Sequence, residues 1–224
     1  MLQRPRAVLK WLPYVLPMAM FLVLSMPEQL LGSYGYPAAY TIKIIAITTL
    51  LWTLRRFYPE LKRNWTGVAL SLMLGPLLTL AWIVIDRITP HFSFLGTRSE
   101  FDPFEVFSNQ PLMWLFIAVR FFGLVIIAPV TEEIFYRAFL LRWIDDTDDF
   151  KRVPVGHVSR MSFFGVVLLM ASAHPEYLAA AFFSAAMNVL IYRTRNVWAT
   201  ISAHASTNLC LGVYVLCFHQ WKYW

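Results

Sequence analysis

The amino-acid sequence predicts an all-α protein, a polytopic bundle of about seven or eight transmembrane helices. Of its 224 residues, 58% are hydrophobic and only 14% are charged, and the mean hydropathy is +0.56. Soluble domains are nearer to half apolar and a quarter charged. The apolar residues also come in runs long enough to cross a bilayer core, which takes about 20 residues. We therefore expect a single integral membrane domain over residues 1–224.

Seven apolar segments are separated by loops that carry most of the charge. They cover residues 10–26, 38–54, 66–87, 111–143, 161–174, 177–192 and 197–218. The first segment is similar to a signal peptide, but Pro13 and Pro17 interrupt it and no small-residue cleavage site follows. We therefore predict that it is retained as the first helix.

The fourth segment is too long for a simple span. As one helix, residues 111–143 would extend roughly 48 Å, so the segment is either one tilted helix kinked near Pro129 or two elements. The positive-inside rule favours one crossing, because most of the 19 Lys and Arg residues then face the cytoplasm together with the N-terminus. An additional half-inserted element would make the eighth helix.

The basic residues lie between apolar runs, so membrane topology explains the net charge of +6. We expect the lipid bilayer, and not a nucleic acid, as the partner of these charges. Cys210 and Cys217 lie seven residues apart and have no Cys-x-x-Cys or Cys/His spacing, so no metal knuckle and no cofactor are predicted.

Ionisable residues inside a membrane segment are costly and indicate function. The fourth segment contains Glu132, Glu133 and Arg137. Four residues separate Glu133 from Arg137, so the two share a helix face and can form an ion pair. Glu132 points about 100° away and is left to face something else.

Three further polar residues fall at a similar depth. At 1.5 Å per residue, Glu132, His174, His204 and Asn208 all lie roughly 13–20 Å from the inner surface. Such a layer, drawn from three segments, predicts a buried polar site. A Glu–Arg pair or a His–Asn face can also merely fix helix packing, and that interpretation stays open for each motif alone.

Two other cations in apolar segments receive a simpler interpretation. Arg120 lies 12 residues before Glu132, roughly 18 Å further along the helix. We expect Arg120, and likewise Lys43, to extend toward the membrane interface.

The polar residues resemble a known family. Glu132-Glu133-x-x-x-Arg137, then His174, then His204-x-x-x-Asn208 resemble the CAAX-protease and bacteriocin-processing (CPBP) family of glutamic-type intramembrane proteases, which includes the Ras-converting-enzyme type of prenyl endopeptidase. The resemblance covers about half of the chain, the expected catalytic half at about 111–218. Met170 departs from the family's usual Phe-x-x-x-His pattern. Tyr36-Pro37 and the stretch 98–105 resemble the bacterial exosortase-associated subgroup.

The resemblance implies an intramembrane endopeptidase with a Ras-converting-enzyme-like fold. It implies that Glu132 is the general base, that His174 positions water, and that His204 and Asn208 stabilise the oxyanion. Glu133 and Arg137 would orient the site. It also implies a multi-pass protein of the bacterial inner membrane that acts on a membrane-associated peptide or protein substrate, lipidated or bearing a sorting signal.

Three alternatives stay open at this point. A zinc hydrolase could use Glu132, His174 and His204 as ligands, although the His-Glu-x-x-His signature is absent. A non-catalytic membrane scaffold or immunity factor would explain the bundle without turnover. A transporter would explain buried Glu and His residues, but no inverted repeat is visible. The sequence leaves the oligomeric state and the cleavage site open.

Overall fold

The computed structural model describes residues 5–62, 64–90, 92 and 100–224, and within them the chain is all-helical. We number eight helices in chain order. They are α1 Pro5–Leu30, α2 Gly32–Leu54, α3 Val68–Ile88, the short α4 Pro103–Val106, α5 Gln110–Asp145, α6 Arg160–Ser172, α7 Tyr177–Thr194 and α8 Val197–Phe218. Each of the seven predicted segments therefore corresponds to a helix. Arg98, part of the subgroup resemblance, lies outside the described residues.

Local sequence explains where several helices begin. Asn109 precedes α5 and its side chain accepts a hydrogen bond from the Leu112 N–H, while Pro111 fits the first turn. Ser159 forms a reciprocal capping box with Ser162 at the start of α6. Asn196 caps α8 in the same way as Asn109 caps α5. Because each cap satisfies N–H groups that a helix start leaves unpaired, these polar residues fix the ends of otherwise apolar segments.

Helix α5 is one continuous element of 36 residues, as the single-crossing prediction requires. Its regularity is interrupted by two π-helical stretches, Gly123–Ile127 and Ile134–Leu140, which no pattern in the sequence predicted. They bracket the six-residue α-helical piece Ala128–Glu133, which carries both glutamates. Helix irregularities of this kind are frequent at functional sites.

Four of the described helices are long and apolar enough to cross a membrane. These candidate spans are Gly32–Phe57, Val68–Ile88, Gln110–Asp145 and Val197–Phe218. Two shorter apolar helices cover Lys10–Met26 and Arg160–Ser172. The sequence predicted about seven or eight membrane helices. The difference arises partly because α6, with 13 residues, reaches only about 20 Å.

The surface of the bundle has the character expected in lipid. On α3, the outward face exposes Leu70, Met73, Leu77 and Leu80, each at least 60% accessible. Their spacing of three and four residues makes one continuous apolar stripe. A soluble monomer rarely exposes such a patch, whereas a bilayer covers it. Helix α3 turns its opposite face to α8, which is its most extensive packing partner.

Candidate active site

A cavity of about 460 Å³ lies inside the bundle, and we call it the central cavity. Glu132, His174, His204 and Asn208, the four residues predicted from the sequence to share one layer, all line it. They come from α5, from the turn after α6, and from α8. The tertiary structure therefore brings the four side chains to one space, although 76 positions of sequence separate the first from the last.

Glu132 faces this cavity without an ion-pair partner among the described residues. Its side chain is half-buried, and its Oε2 atom is inaccessible to solvent and accepts no hydrogen bond. An unsatisfied buried carboxylate oxygen is costly, because the group has lost its water without gaining a donor. Such an atom has acceptor capacity for a molecule that enters the cavity.

Glu133, its neighbour, is fully buried and highly connected. Its Oε1 atom accepts a hydrogen bond from Arg137 Nη1 at 3.3 Å and a second from His204 Nδ1 at 2.9 Å. The second terminal nitrogen of Arg137, Nη2, donates to the backbone oxygen and to Oγ of Ser184, both at 3.3 Å. The ion pair therefore links α5 to α8 through His204 and to α7 through Ser184.

The contact with Glu133 fixes the proton arrangement of His204. A carboxylate only accepts, so Nδ1 of the imidazole carries the proton, and Nε2 holds a lone pair in the neutral ring. The ring also packs edge-on against Phe183, with centroids 4.9 Å apart. Nε2 can therefore donate to a developing negative charge only when the ring is an imidazolium.

His174 is held in a comparable way by backbone. Its Nδ1 lies 2.8 Å from the Met170 carbonyl oxygen, which can only accept, so Nε2 has the lone pair in the neutral ring. The Trp82 ring packs edge-on against the imidazole. Because the contact uses the Met170 backbone, the departure from the family's Phe at this position does not remove it.

Asn208 links α8 to the first π-helical stretch. Its Nδ2 donates to the Leu124 carbonyl oxygen at 2.9 Å. The π-helical register displaces backbone carbonyls from their usual i+4 partners, so a side-chain donor is needed there. The amide nitrogen carries two N–H bonds, and the second can serve another acceptor.

Arg120 and Lys43 turn into the bundle, whereas we expected both to extend toward the membrane interface. Lys43 is only 3% exposed and forms an ion pair with Glu28 at 2.8 Å. Arg120 is partly buried and lines the central cavity beside Tyr40. Both cations turn inward because aromatic rings and a carboxylate from neighbouring helices receive them, and these partners cannot be identified from the spacing of one segment.

The zinc alternative finds no matching geometry in the described part of the chain. There, no group of three or more His, Cys, Asp or Glu side chains is arranged to hold a metal ion. Glu132, His174 and His204 are all described residues, and they do not form such a group.

Comparison with known proteins identifies one family. Residues 113–210 match the model of the Rce1-like type II CAAX prenyl endopeptidases. This segment therefore matches the Rce1-like domain of the CPBP family, and the predicted enzyme class, a glutamic-type intramembrane protease, is confirmed at the level of the family. The match includes all six polar residues of the predicted site. No curated protein and no solved structure matches the chain.

Proposed function

We propose that this protein hydrolyses a peptide bond of a membrane-associated substrate, with Glu132 as the base that activates water. The observation that carries the proposal is the unpartnered Oε2 of Glu132 in a cavity that His174, His204 and Asn208 also line. A water molecule bound there would find a carboxylate acceptor and neighbouring imidazole and amide groups. This combination is what water activation and oxyanion stabilisation require.

In the proposed reaction, Glu132 removes one proton from water as the oxygen attacks the substrate carbonyl carbon. Nε2 of His174, with its lone pair, accepts a hydrogen bond from the same water and orients it. The tetrahedral oxyanion receives the second N–H of Asn208 and Nε2–H of protonated His204. Glu132 then passes its proton to the leaving amine as the carbon–nitrogen bond breaks, which returns the carboxylate to its starting state.

Glu133 and Arg137 are positioning residues in this scheme. The Glu133 carboxylate accepts a hydrogen bond from Nδ1 of His204 at 2.9 Å and so fixes the orientation of the imidazole ring. Arg137 offsets the charge of Glu133 and anchors it to Ser184. Both residues are fully buried, which supports an indirect role over contact with substrate.

The substrate class and the membrane orientation belong to the same proposal. A lipidated peptide or one with a sorting signal would reach the cavity from the bilayer, and the resemblance of Tyr36-Pro37 to the exosortase-associated subgroup supports the second kind. The loops rich in Lys and Arg support an inner-membrane protein with a cytoplasmic N-terminus.

The test uses the full chain in liposomes with a library of lipidated and unlipidated peptides. Glu132→Gln and Glu132→Ala are compared with Glu105→Gln, which changes an exposed carboxylate on α4. We expect both Glu132 variants to lose about 10²- to 10⁴-fold in rate, the usual contribution of a positioned base, while Glu105→Gln keeps the wild-type rate. Cleavage by both Glu132 variants at the wild-type rate would refute the assignment. Loss of activity on chelation with rescue by zinc would refute the metal-free mechanism.

A further inference from the structure

The central cavity continues well beyond the proposed catalytic groups. Along α5, five residues spaced four apart all line it, namely Arg120, Leu124, Ala128, Glu132 and Tyr136. Residues four apart lie above one another on one helix face, so the cavity follows that face. From Glu132 to Arg120 this is a distance of about 18 Å along the helix axis.

Arg120 lies at the end of this row in an aromatic environment. Its guanidinium carbon lies 4.4 Å from the ring centre of Tyr40, 5.6 Å from that of Trp224 and 5.7 Å from that of Tyr36. Its Nε atom is buried and has no hydrogen-bond partner. Aromatic faces stabilise a cation but do not accept its in-plane N–H groups as a carboxylate does.

Among the side chains that line this end of the cavity, two are cations and one is a carboxylate. Lys43 and Glu28 also line the cavity there, and they neutralise each other at 2.8 Å. No carboxylate among the described residues forms an ion pair with Arg120. A guanidinium in a low-dielectric site gains far more from an anion than the same group in water, so this end favours a negatively charged group.

We propose that Arg120 binds a carboxylate of the substrate peptide, and this inference deepens the proposed function on which it rests. An extended peptide rises about 3.5 Å per residue, so 18 Å corresponds to about five residues between the hydrolysed bond and the carboxylate. The carboxylate can be the C-terminal group of the peptide or an acidic side chain. In either case the bond would be selected by its distance from a negative charge, in addition to the sequence around it.

The test compares three peptides of one sequence in phosphatidylcholine liposomes. The first peptide ends in a free carboxylate, and the second ends in an amide. The third also ends in an amide, but its C-terminal residue is replaced by Asp. We expect wild-type protein to prefer a carboxylate-bearing peptide over the plain amide by roughly 10- to 100-fold in kcat/KM, which corresponds to one charge-assisted hydrogen-bond pair. Whether the first or the third peptide is preferred identifies the source of the carboxylate.

Arg120→Gln is expected to lose this preference, and Arg120→Lys to keep part of it as a point charge without the planar fork. Arg87→Gln is the matched control, because Arg87 is an exposed arginine at the end of α3 that donates to Tyr214. It should keep the full preference. In a series of peptides whose carboxylate lies three to seven residues from the hydrolysed bond, kcat/KM of the wild-type protein should be highest near five residues.

The proposal is overturned if Arg120→Gln leaves the ratio between peptides unaltered, or if wild-type activity depends on anionic lipid with no preference among the peptides. A separate arm measures peptide binding to the Glu132→Gln variant, with and without Arg120→Gln, and needs no turnover. Carboxylate-selective binding without any cleavage by wild type would retain the Arg120 site and reject the hydrolysis. Cleavage of all three peptides without selectivity would retain the proposed hydrolysis and reject the Arg120 site. Arg120→Lys covers the case in which Arg120→Gln does not fold.

Discussion

Glu133 Oε1 accepts a 2.9 Å hydrogen bond from Nδ1 of His204, a residue 71 positions later in the chain. The same oxygen accepts from Arg137 Nη1, so one carboxylate oxygen connects the cation on its own helix to an imidazole on α8. Helical spacing alone gave Glu133 a partner in Arg137, and the family resemblance implied that the two residues orient the site. The second contact fixes the orientation of His204 and the tautomer of its neutral ring, and this has measurable consequences.

Breaking the buried Glu133–Arg137 pair should cost more stability than removing both of its charges. Glu133→Gln leaves the Arg137 guanidinium buried without its counter-charge, and we expect a loss of about 3–5 kcal/mol in the free energy of unfolding. The double variant Glu133→Leu with Arg137→Met removes both charges and should be less destabilised than Glu133→Gln alone. Denaturant unfolding in detergent measures both. A double variant less stable than Glu133→Gln would contradict this account.

Glu133 and His204 should act as one unit in turnover. If Glu133 works by holding His204, then Glu133→Gln and His204→Phe each lower kcat/KM, but the double variant is scarcely worse than the more damaging single variant. We expect about 100-fold for each single change, since each disturbs one oxyanion donor. Steady-state measurements of kcat/KM with the best peptide, for wild type, both single variants and the double variant, complete this double-mutant cycle. Effects that multiply would show that the two residues act independently.

Substitution of His174 should affect mainly catalysis, whereas substitution of Met170 should affect mainly stability. His174→Ala removes the proposed water ligand, so kcat should fall while the unfolding transition stays close to that of wild type. Met170→Ala keeps the backbone carbonyl that holds His174 but empties a buried site, which typically costs about 2–5 kcal/mol. It should therefore lower stability much more than kcat. The opposite pattern, with stable but inactive Met170→Ala, would mean that the Met170 side chain itself serves the site.

Asn208 should be intolerant of an isosteric acid. Asn208→Asp replaces the donor to the Leu124 carbonyl with an oxygen, which repels that carbonyl and the proposed oxyanion alike. We expect Asn208→Ala to lose about 100-fold in kcat and Asn208→Asp to lose more. Rates measured at saturating peptide decide between them. An Asn208→Asp variant as active as wild type would show that Asn208 does not stabilise the oxyanion.

Gly75 should be required where α3 meets α8. A Cβ at this position would lie 2.7 Å from the backbone carbon of Ser206, closer than real Cβ contacts. Backbone cannot yield as a side chain can, so Gly75→Ala should push the helices apart and lower thermal stability. Gly165→Ala is the matched control, because its Cβ would meet only the end of the Ile144 side chain at 3.2 Å. Equal shifts in the two variants would argue against close helix packing at Gly75.

The sequence by itself determined the helical class, the approximate bounds of seven helices, and the identity of the polar residues that meet in the cavity. These features follow from local physics. Apolar runs define helices, Asn and Ser caps define their starts, and an uncompensated charge in an apolar segment marks a site whatever its partners are. The i,i+4 relation of Glu133 to Arg137 is equally local, and the structure contains that ion pair.

Only the tertiary structure decided how those residues are connected. The contact of Glu133 with His204, the anchoring of Arg137 on Ser184 and the inward turn of Arg120 all join different helices. Their distances depend on how α5, α7 and α8 pack, and no spacing within one segment encodes that packing. The π-helical stretches around Ala128–Glu133 belong to the same category, because the shift in backbone register is stabilised by partners such as Asn208 from another helix.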